Sequence, residues 1–246
     1  MTRIYEKPLR IALWSGPRNL STAMMRSFAA RDDTICVDEP FYAPYLALTG
    51  LDHPMRDAIL REHESDPGKV IHRLAHAPAT RPIFYQKQMT HHMVDDIDRG
   101  WMGEVHHAFL IRHPARVMAS YARKMETASL EAIGFPQQYE LFHHVTGELG
   151  QPAIVIDSDD ILHNPASMLQ KLCTALEIDY QPTMLNWSSG VQPEDGIWAS
   201  HWYDSIIQTT GFGAPPGDLP QLEGDYATIA EAALASYAPL WEQRLR

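Results

Sequence analysis

Only two cysteines, Cys36 and Cys173, occur in 246 residues. They offer neither a metal-ligand spacing nor a disulfide framework, so a reducing cytoplasm is the expected compartment. Positive charge is scarce as well: 20 Lys and Arg against 31 Asp and Glu leave a formal charge of −11. A broad basic face for nucleic acid is not expected on that balance, and any phosphate site has to be a local basic pocket in an acidic body. No run approaches the ~18 apolar residues of a membrane span. The opening Met1-Thr2-Arg3-Ile4-Tyr5-Glu6-Lys7 has no signal-peptide core. Neither nucleic acid nor a membrane is therefore an expected partner. Internal repeats and low-complexity tracts are also missing.

What remains is an ordinary globular composition, 45% hydrophobic and 21% charged. A chain of this length can bury roughly 70–75% of its unfolded surface without a disulfide or metal staple. Short apolar runs alternate with helical periodicities, which predicts an α/β fold with a parallel sheet. The strand candidates are Arg10–Trp14, Thr34–Val37, Pro82–Gln86, Ala108–Ile111 and Ala153–Ile156. They are rich in Ile, Val, Leu and Phe, as strands buried on both faces should be. Leu20, Ala23, Met24, Ser27 and Phe28 form the inner stripe of a first helix. A second opens at Pro114, with Val117, Met118, Tyr121 and Met125 inward and Arg116, Ser120, Arg123 and Lys124 on the other side. Further helices are predicted at Pro165–Leu176 and from Tyr226 to Arg244. The last has Ile229, Ala230, Ala233, Leu234, Tyr237 and Trp241 as its apolar face and a kink at Pro239. One domain over 1–246 is expected, with a helical insertion at 51–80 and a loop-rich segment at 187–220 that shapes the acceptor site or covers a nucleotide.

Two stretches carry the chemistry. Ile11-Ala12-Leu13-Trp14-Ser15-Gly16-Pro17-Arg18-Asn19-Leu20-Ser21-Thr22 reads as strand, tight turn and helix start. A helix N-terminus presents unpaired N–H groups and about half a positive charge, which suits a phosphate. Arg18 adds a cation with a fork of donors, and Asn19, Ser21 and Thr22 add side-chain donors. An ATP-binding loop needs a second glycine and a lysine; Leu20 and the lack of a lysine speak against one. Taken alone, the stretch could equally be a plain strand–helix turn capped by Asn19. The second stretch is Phe109-Leu110-Ile111-Arg112-His113-Pro114-Ala115-Arg116-Val117-Met118-Ala119-Ser120-Tyr121. An arginine ends a strand, a proline opens a helix, and a serine follows the arginine by eight.

That second stretch resembles the 3′-phosphate motif of the sulfotransferases that use 3′-phosphoadenosine-5′-phosphosulfate (PAPS), and Pro17–Thr22 looks like their 5′-phosphosulfate loop. Leu20 stands where that loop usually has glycine. Val155–Pro165 with Leu169–Leu176 is similar to the family's fifth strand and following helix. Pro193-Glu194-Asp195-Gly196-Ile197-Trp198 lies where the family has its adenosine-covering loop, without the usual lysine. The resemblance runs from the first strand to about residue 200 and is closest to the small bacterial branch. It implies a three-layer sandwich with a five-stranded parallel sheet, P-loop kinase-like with strand order 2-3-1-4-5. It implies PAPS as donor, adenosine 3′,5′-bisphosphate (PAP) as product, no metal, and a hydroxyl or amine of a small molecule as acceptor. The nucleotide-binding residues implied are Ser15, Gly16, Pro17, Arg18, Asn19, Leu20, Ser21, Thr22, Arg112, Ser120, Gly196 and Trp198.

Sulfuryl transfer asks a protein for placement, cations near the leaving oxygen and a base for the acceptor's proton. Arg18 and Lys87 are the candidate cations. Lys87 closes the third strand, and His91 and His92 follow it; the cytosolic branch of the family has a lysine and a base histidine there, two apart. Here the separation is four or five, which leaves His91 and His92 open. Glu39 follows the second strand, where the heparan sulfate enzymes place a base glutamate. Each also has a bland reading, as surface histidines or a strand-end carboxylate. Trp198, Trp202 and Tyr203 could line an acceptor pocket or pack a core. His72 and His76 have no third ligand at a clear spacing. A P-loop kinase using ATP and Mg²⁺ and an inactive nucleotide-binding module are the rival readings, and a homodimer is left open.

Overall fold

The computed structural model describes residues 3–123 and 128–246. One parallel sheet comprises β1 (Leu9–Ser15), β2 (Thr34–Asp38), β3 (Ile83–Met89), β4 (His106–Ile111) and β5 (Ala153–Asp157). Its order is β2-β3-β1-β4-β5, as the resemblance implied. Helix α1 (Ser21–Ala29) connects β1 to β2. Helices α2 (Tyr42–Thr49), α3 (Arg56–Glu62) and α4 (Pro67–Ala75) precede β3, and α5 (Pro114–Tyr121) and α6 (Phe135–His143) follow β4. Beyond β5 come α7 (Ser158–His163), α8 (Pro165–Ala175), the single turn α9 (Ala199–Trp202) and α10 (Gly224–Glu242).

Alternation along β1 divides the interior. Ile11 and Leu13 face one layer, where Met24, Met25 and Phe28 of α1 meet Leu169 and Leu172 of α8. Ala12 and Trp14 face the other, with Val117 and Met118 of α5, Leu141 and Phe142 of α6, and Ala233 and Leu240 of α10. Full burial of one such side chain is worth about 1.5–3 kcal/mol. A third cluster joins α2 and α3 to Trp198, Ala199 and Tyr203. It clamps the segment after residue 187 over the C-terminal ends of β2 and β3.

Four strands run one to three residues past the C-terminal ends that apolar runs alone predict, and β4 starts two residues early, at His106. Most of the extra residues are polar and buried; Asp38, Gln88 and Asp157 are hydrogen-bonded through their side chains, whereas the Ser15 hydroxyl has no partner among the described residues. Helix α6 was not anticipated. It starts from Gly134 in the left-handed region (φ 74°), and its inward Gln138 donates to the carbonyls of Trp14 and Leu110 at 3.3 and 2.9 Å. A buried glutamine that ties two strand ends breaks the apolar stripe. On α10, Trp241 is 40% exposed and Leu240 takes its inward place; Arg244 lies over the Trp241 ring at 3.8 Å. The helix continues through Pro239 to Glu242. Met125 and Lys124 lie outside the described residues.

Candidate active site

The C-terminal edge of the sheet opens into a cavity of 390 Å³. Parallel folds bind ligands at this edge because the strand-to-helix turns gather there. One wall is the β1–α1 turn, from Pro17 to Ala23. Gly16 has no room for a side chain: a Cβ there would lie 2.5 Å from the Ile133 carbonyl oxygen. Ser15 is fully buried and, with Gly16, supports the turn from below without lining the cavity. Arg18 takes a left-handed backbone (φ 59°), a conformation that costs a non-glycine residue on the order of 1–3 kcal/mol. Its carbonyl accepts from Arg112 Nη1 at 2.7 Å, and its Nε donates to Ser120 Oγ at 3.1 Å. The two motifs read separately in the sequence are thus one hydrogen-bonded unit.

Asn19 does not cap α1. Its Nδ2 donates to the Leu110 carbonyl at 2.8 Å, and its Oδ1 accepts from the Leu20 amide at 2.8 Å. Leu20 occupies the cap position and no side chain caps the helix. The first-turn N–H groups of Ser21, Thr22 and Ala23 lack intrahelical partners, as in any α-helix, and all three residues line the cavity. Arg112 and Arg123 line it too. Burial is the main cause that lowers the pKa of Arg112 from its usual value; Asp159 opposes it, and the guanidinium groups of Arg116, Arg18 and Arg123 add to it. Arg112 Nε is buried without a partner among the described residues. An unpaired donor in a crowd of cations is the electrostatic signature of an anion site.

The opposite wall is built from β2 and β3. Their register places Asp38 beside Lys87. Lys87 Nζ donates to Asp38 Oδ1 at 2.7 Å, Glu39 Oε1 at 2.5 Å and the Tyr203 hydroxyl at 2.8 Å. Burial opposes the Lys87 charge, but Asp38 and Glu39 outweigh it and raise its pKa well above the usual lysine value. Glu39 has a left-handed backbone (φ 40°), and its amide donates to the Lys87 carbonyl at 2.9 Å. Its carboxyl pKa is raised, by burial first; Lys87 pulls it down and Asp38 pushes it up. Two non-glycine residues in left-handed backbone, Arg18 and Glu39, thus line opposite walls of one cavity.

His91 and His92 also line the cavity. Burial, with His53 and Lys87 nearby, drives the His91 pKa down to about 3. His92 falls well below its usual value through burial, then His91 and Lys87. Both imidazoles are neutral at physiological pH and are poor proton acceptors. Tyr42 stacks on His92 with ring centroids 4.7 Å apart and hydrogen-bonds His53. Gly196 and Trp198 do not line the cavity. The Gly196 amide and Trp198 Nε1 each donate to Asp38 Oδ2 at 3.1 Å, behind the carboxylates. A Cβ on Gly196 would overlap the Trp198 ring at 2.2 Å. Asp38, His53 and Tyr203 carry more of the site than their sequence context suggested. The adjacent Asp38-Glu39 pair, set beside Lys87 by strand order, was the signal available for Asp38.

Known proteins share this arrangement at the level of fold. A sulfotransferase domain from the curacin biosynthetic pathway superposes with a TM-score of 0.55 at 16% identity, covering 94% of this chain and 98% of that one. A sulfotransferase from Alicyclobacillus acidocaldarius gives 0.53 at 12% identity, covering 96% and 97%. Branched-chain-amino-acid aminotransferase-like protein 2 of Arabidopsis thaliana is 36% identical over 218 residues, 87% of this chain and 39% of that protein. Branched-chain-amino-acid aminotransferase-like protein 1 of the same plant is 36% identical over 209 residues, 85% of this chain and 37% of that protein. The chain therefore spans about two fifths of the length of these curated relatives. The model of the sulfotransferase domain matches residues 9–243, which takes in the whole sheet and both cavity walls, and the chain belongs to that sulfotransferase family.

Proposed function

We propose that this protein transfers a sulfuryl group from PAPS to a hydroxyl or amine of a small acceptor. The observation that carries the reading is the union of the uncapped α1 N-terminus, Arg18, Arg112 and Ser120 on one wall, facing Glu39 on the other. The residues fit a ligand with two separate phosphate groups. The unpartnered Arg112 Nε and Ser120 suit the 3′-phosphate, and Arg18 with the first turn of α1 suits the 5′ end. PAPS would supply a sulfuryl group joined to a phosphate leaving group. Arg18 then holds a fixed positive charge where negative charge develops. Glu39 takes the acceptor's proton. Its raised pKa narrows the gap to a hydroxyl and improves it as a base. Tyr42, His53 and Trp202 offer the acceptor uncharged rings.

Calorimetry with PAP and with ATP tests the reading. PAP is expected to bind at micromolar affinity, about −8 kcal/mol, without Mg²⁺. Tighter binding of ATP that depends on Mg²⁺ would favour a kinase and overturn it.

A further inference from the structure

Asp38 and Glu39 are consecutive carboxylates with opposite bonding states. Asp38 is 5% exposed and accepts on both oxygens. Lys87 Nζ reaches Oδ1 at 2.7 Å. Oδ2 takes the Tyr203 hydroxyl at 2.7 Å and the donors of Gly196 and Trp198 at 3.1 Å. Four donors already hold this carboxylate and it does not line the cavity, so it is not placed to take an acceptor's proton. Glu39 is different. Its Oε1 takes Lys87 Nζ, with the Tyr203 hydroxyl more distant at 3.4 Å. Its Oε2 accepts from no described residue, and Glu39 lines the cavity.

Lys87 is committed in the same way. An ammonium has three protons, and Asp38, Glu39 and Tyr203 take all three. Tyr203 accepts from Lys87, so its own proton is left for Asp38, the nearer carboxylate. The segment that delivers Tyr203 is tethered elsewhere: Asp195 accepts from Arg26 of α1 at 2.7 Å, with both side chains buried.

We infer that Asp38 and Tyr203 are positioning residues for Glu39, acting through Lys87. They occupy two of the three ammonium protons and direct the third at Glu39 Oε1, which leaves Oε2 as the open proton acceptor. Lys87 on this account serves the base and not the leaving group. The inference rests on the sulfotransferase reading for the identity of the base, but its geometry stands without a donor nucleotide.

The test is carbon-13 NMR of the side-chain carboxyl groups in the full chain, with Glu39 assigned by Glu39→Gln. The charged and titratable groups around Glu39 are Asp38 on β2, Lys87 on β3, Tyr203 after α9, Tyr42 on α2, and His91 and His92 after β3. In Asp38→Asn a neighbouring negative charge disappears, and the Glu39 midpoint is expected to fall by about one pH unit. In Tyr203→Phe a donor to the carboxylates disappears and the midpoint is expected to rise. Opposite shifts are beyond a merely structural role, which would loosen the site in both variants alike. Should Asp38→Asn fail to fold, the near-isosteric Tyr203→Phe and the lysine Cε signals still decide. The Lys87 signal, assigned by Lys87→Arg, is expected to hold its charged position past the pH at which the other lysines titrate. Unchanged or parallel Glu39 midpoints, or Lys87 titrating with the other lysines, would overturn the inference. Calorimetry with PAP on the same samples judges the sulfotransferase reading separately: wild type that fails to bind PAP sinks that reading whatever the carboxyl groups do.

Discussion

The two walls of the cavity hold charge in different ways. On the α1 side, Arg18 and Arg112 each bond the protein through a single nitrogen, Nε to Ser120 and Nη1 to the Arg18 carbonyl. Their remaining donors make no hydrogen bond to a described residue, and no carboxylate forms an ion pair with either within the described residues. On the β2–β3 side, one ammonium meets two carboxylates and a phenol within 2.8 Å. Unmatched cations in an acidic protein are costly to keep unless an anion arrives to neutralise them. Matched charges in a buried cluster hold one another's protonation state and geometry. The first wall is built to bind; the second is built to keep a carboxylate in place and ready.

The sharpest way to break that contrast is to remove the base. Once an acceptor is in hand, Glu39→Gln should lower kcat by roughly 10²–10⁴-fold, the usual worth of general-base catalysis. Its shape persists, but glutamine cannot take a proton. PAP affinity should hold or rise slightly as a negative charge leaves the cavity. Activity should also fall as pH drops through the raised Glu39 pKa, because only the carboxylate is competent. His91→Ala and His92→Ala are the controls, and each should stay within about threefold of wild type. A histidine variant that loses 10²-fold while Glu39→Gln keeps its rate would move the base to the end of β3.

Next in size is the binding wall. Arg112→Ala should weaken PAP by about 2–4 kcal/mol, since a charge-assisted phosphate contact is lost. A nucleotide with no 3′-phosphate should bind the variant as it binds wild type. Normal PAP binding by Arg112→Ala would reduce the second motif to a strand–helix junction.

The binding wall was the more legible of the two in the sequence. Arg18, Arg112 and Ser120 sit in short local patterns of strand end, turn and helix start, and local patterns survive without knowledge of tertiary contacts. The strands were legible too, apart from their polar ends. The base wall depends on register. Asp38 meets Lys87 because β2 lies beside β3, two strands 49 residues apart at that contact. Tyr203 arrives from a segment with weak periodicity, held by the Arg26–Asp195 pair and the α2–α3 cluster. Gly196 and Trp198 fell in the right stretch, yet they serve Asp38 from behind and do not line the cavity.

A third variant compares the base wall with a buried carboxylate that makes no ion pair with a described residue. Asp157 ends β5, accepts from the Tyr237 hydroxyl at 3.2 Å and caps α7 through the amides of Asp159 and Asp160. Burial, with Asp159 and Asp160 adding to it, raises its pKa from 3.8 to about 6. The folded state therefore holds this proton more tightly than the unfolded chain does. Protonated Asp157 costs nothing below about pH 4; between there and about pH 6 the unfolded chain ionises first and stability falls. Above pH 6 the loss is complete, at most on the order of 3 kcal/mol. Asparagine caps a helix as well as aspartate and never ionises. Asp157→Asn should raise the Tm at pH 8 and leave it nearly unchanged at pH 4. Equal gains at both pH values would show that charge is not what strains this end of the sheet.

The smallest expected effect examines the seam between the two phosphate motifs. Ser120 is buried on α5, and its hydroxyl accepts from Arg18 Nε at 3.1 Å. Ser120→Ala removes one neutral donor from the proposed 3′-phosphate site, worth about 1 kcal/mol or roughly fivefold in PAP affinity. It also removes a support for Arg18. Arg18 keeps a second support, because Arg112 Nη1 still donates to its carbonyl, so the left-handed turn should persist. PAP should therefore weaken about fivefold, while adenosine 5′-phosphosulfate, which has no 3′-phosphate, should bind as before. Calorimetry with both ligands reads the ratio. Equal losses for the two would mean that Ser120 acts by holding Arg18 over the 5′ end. The binding wall would then be a coupled device like the base wall, and the contrast between them would be one of charge alone.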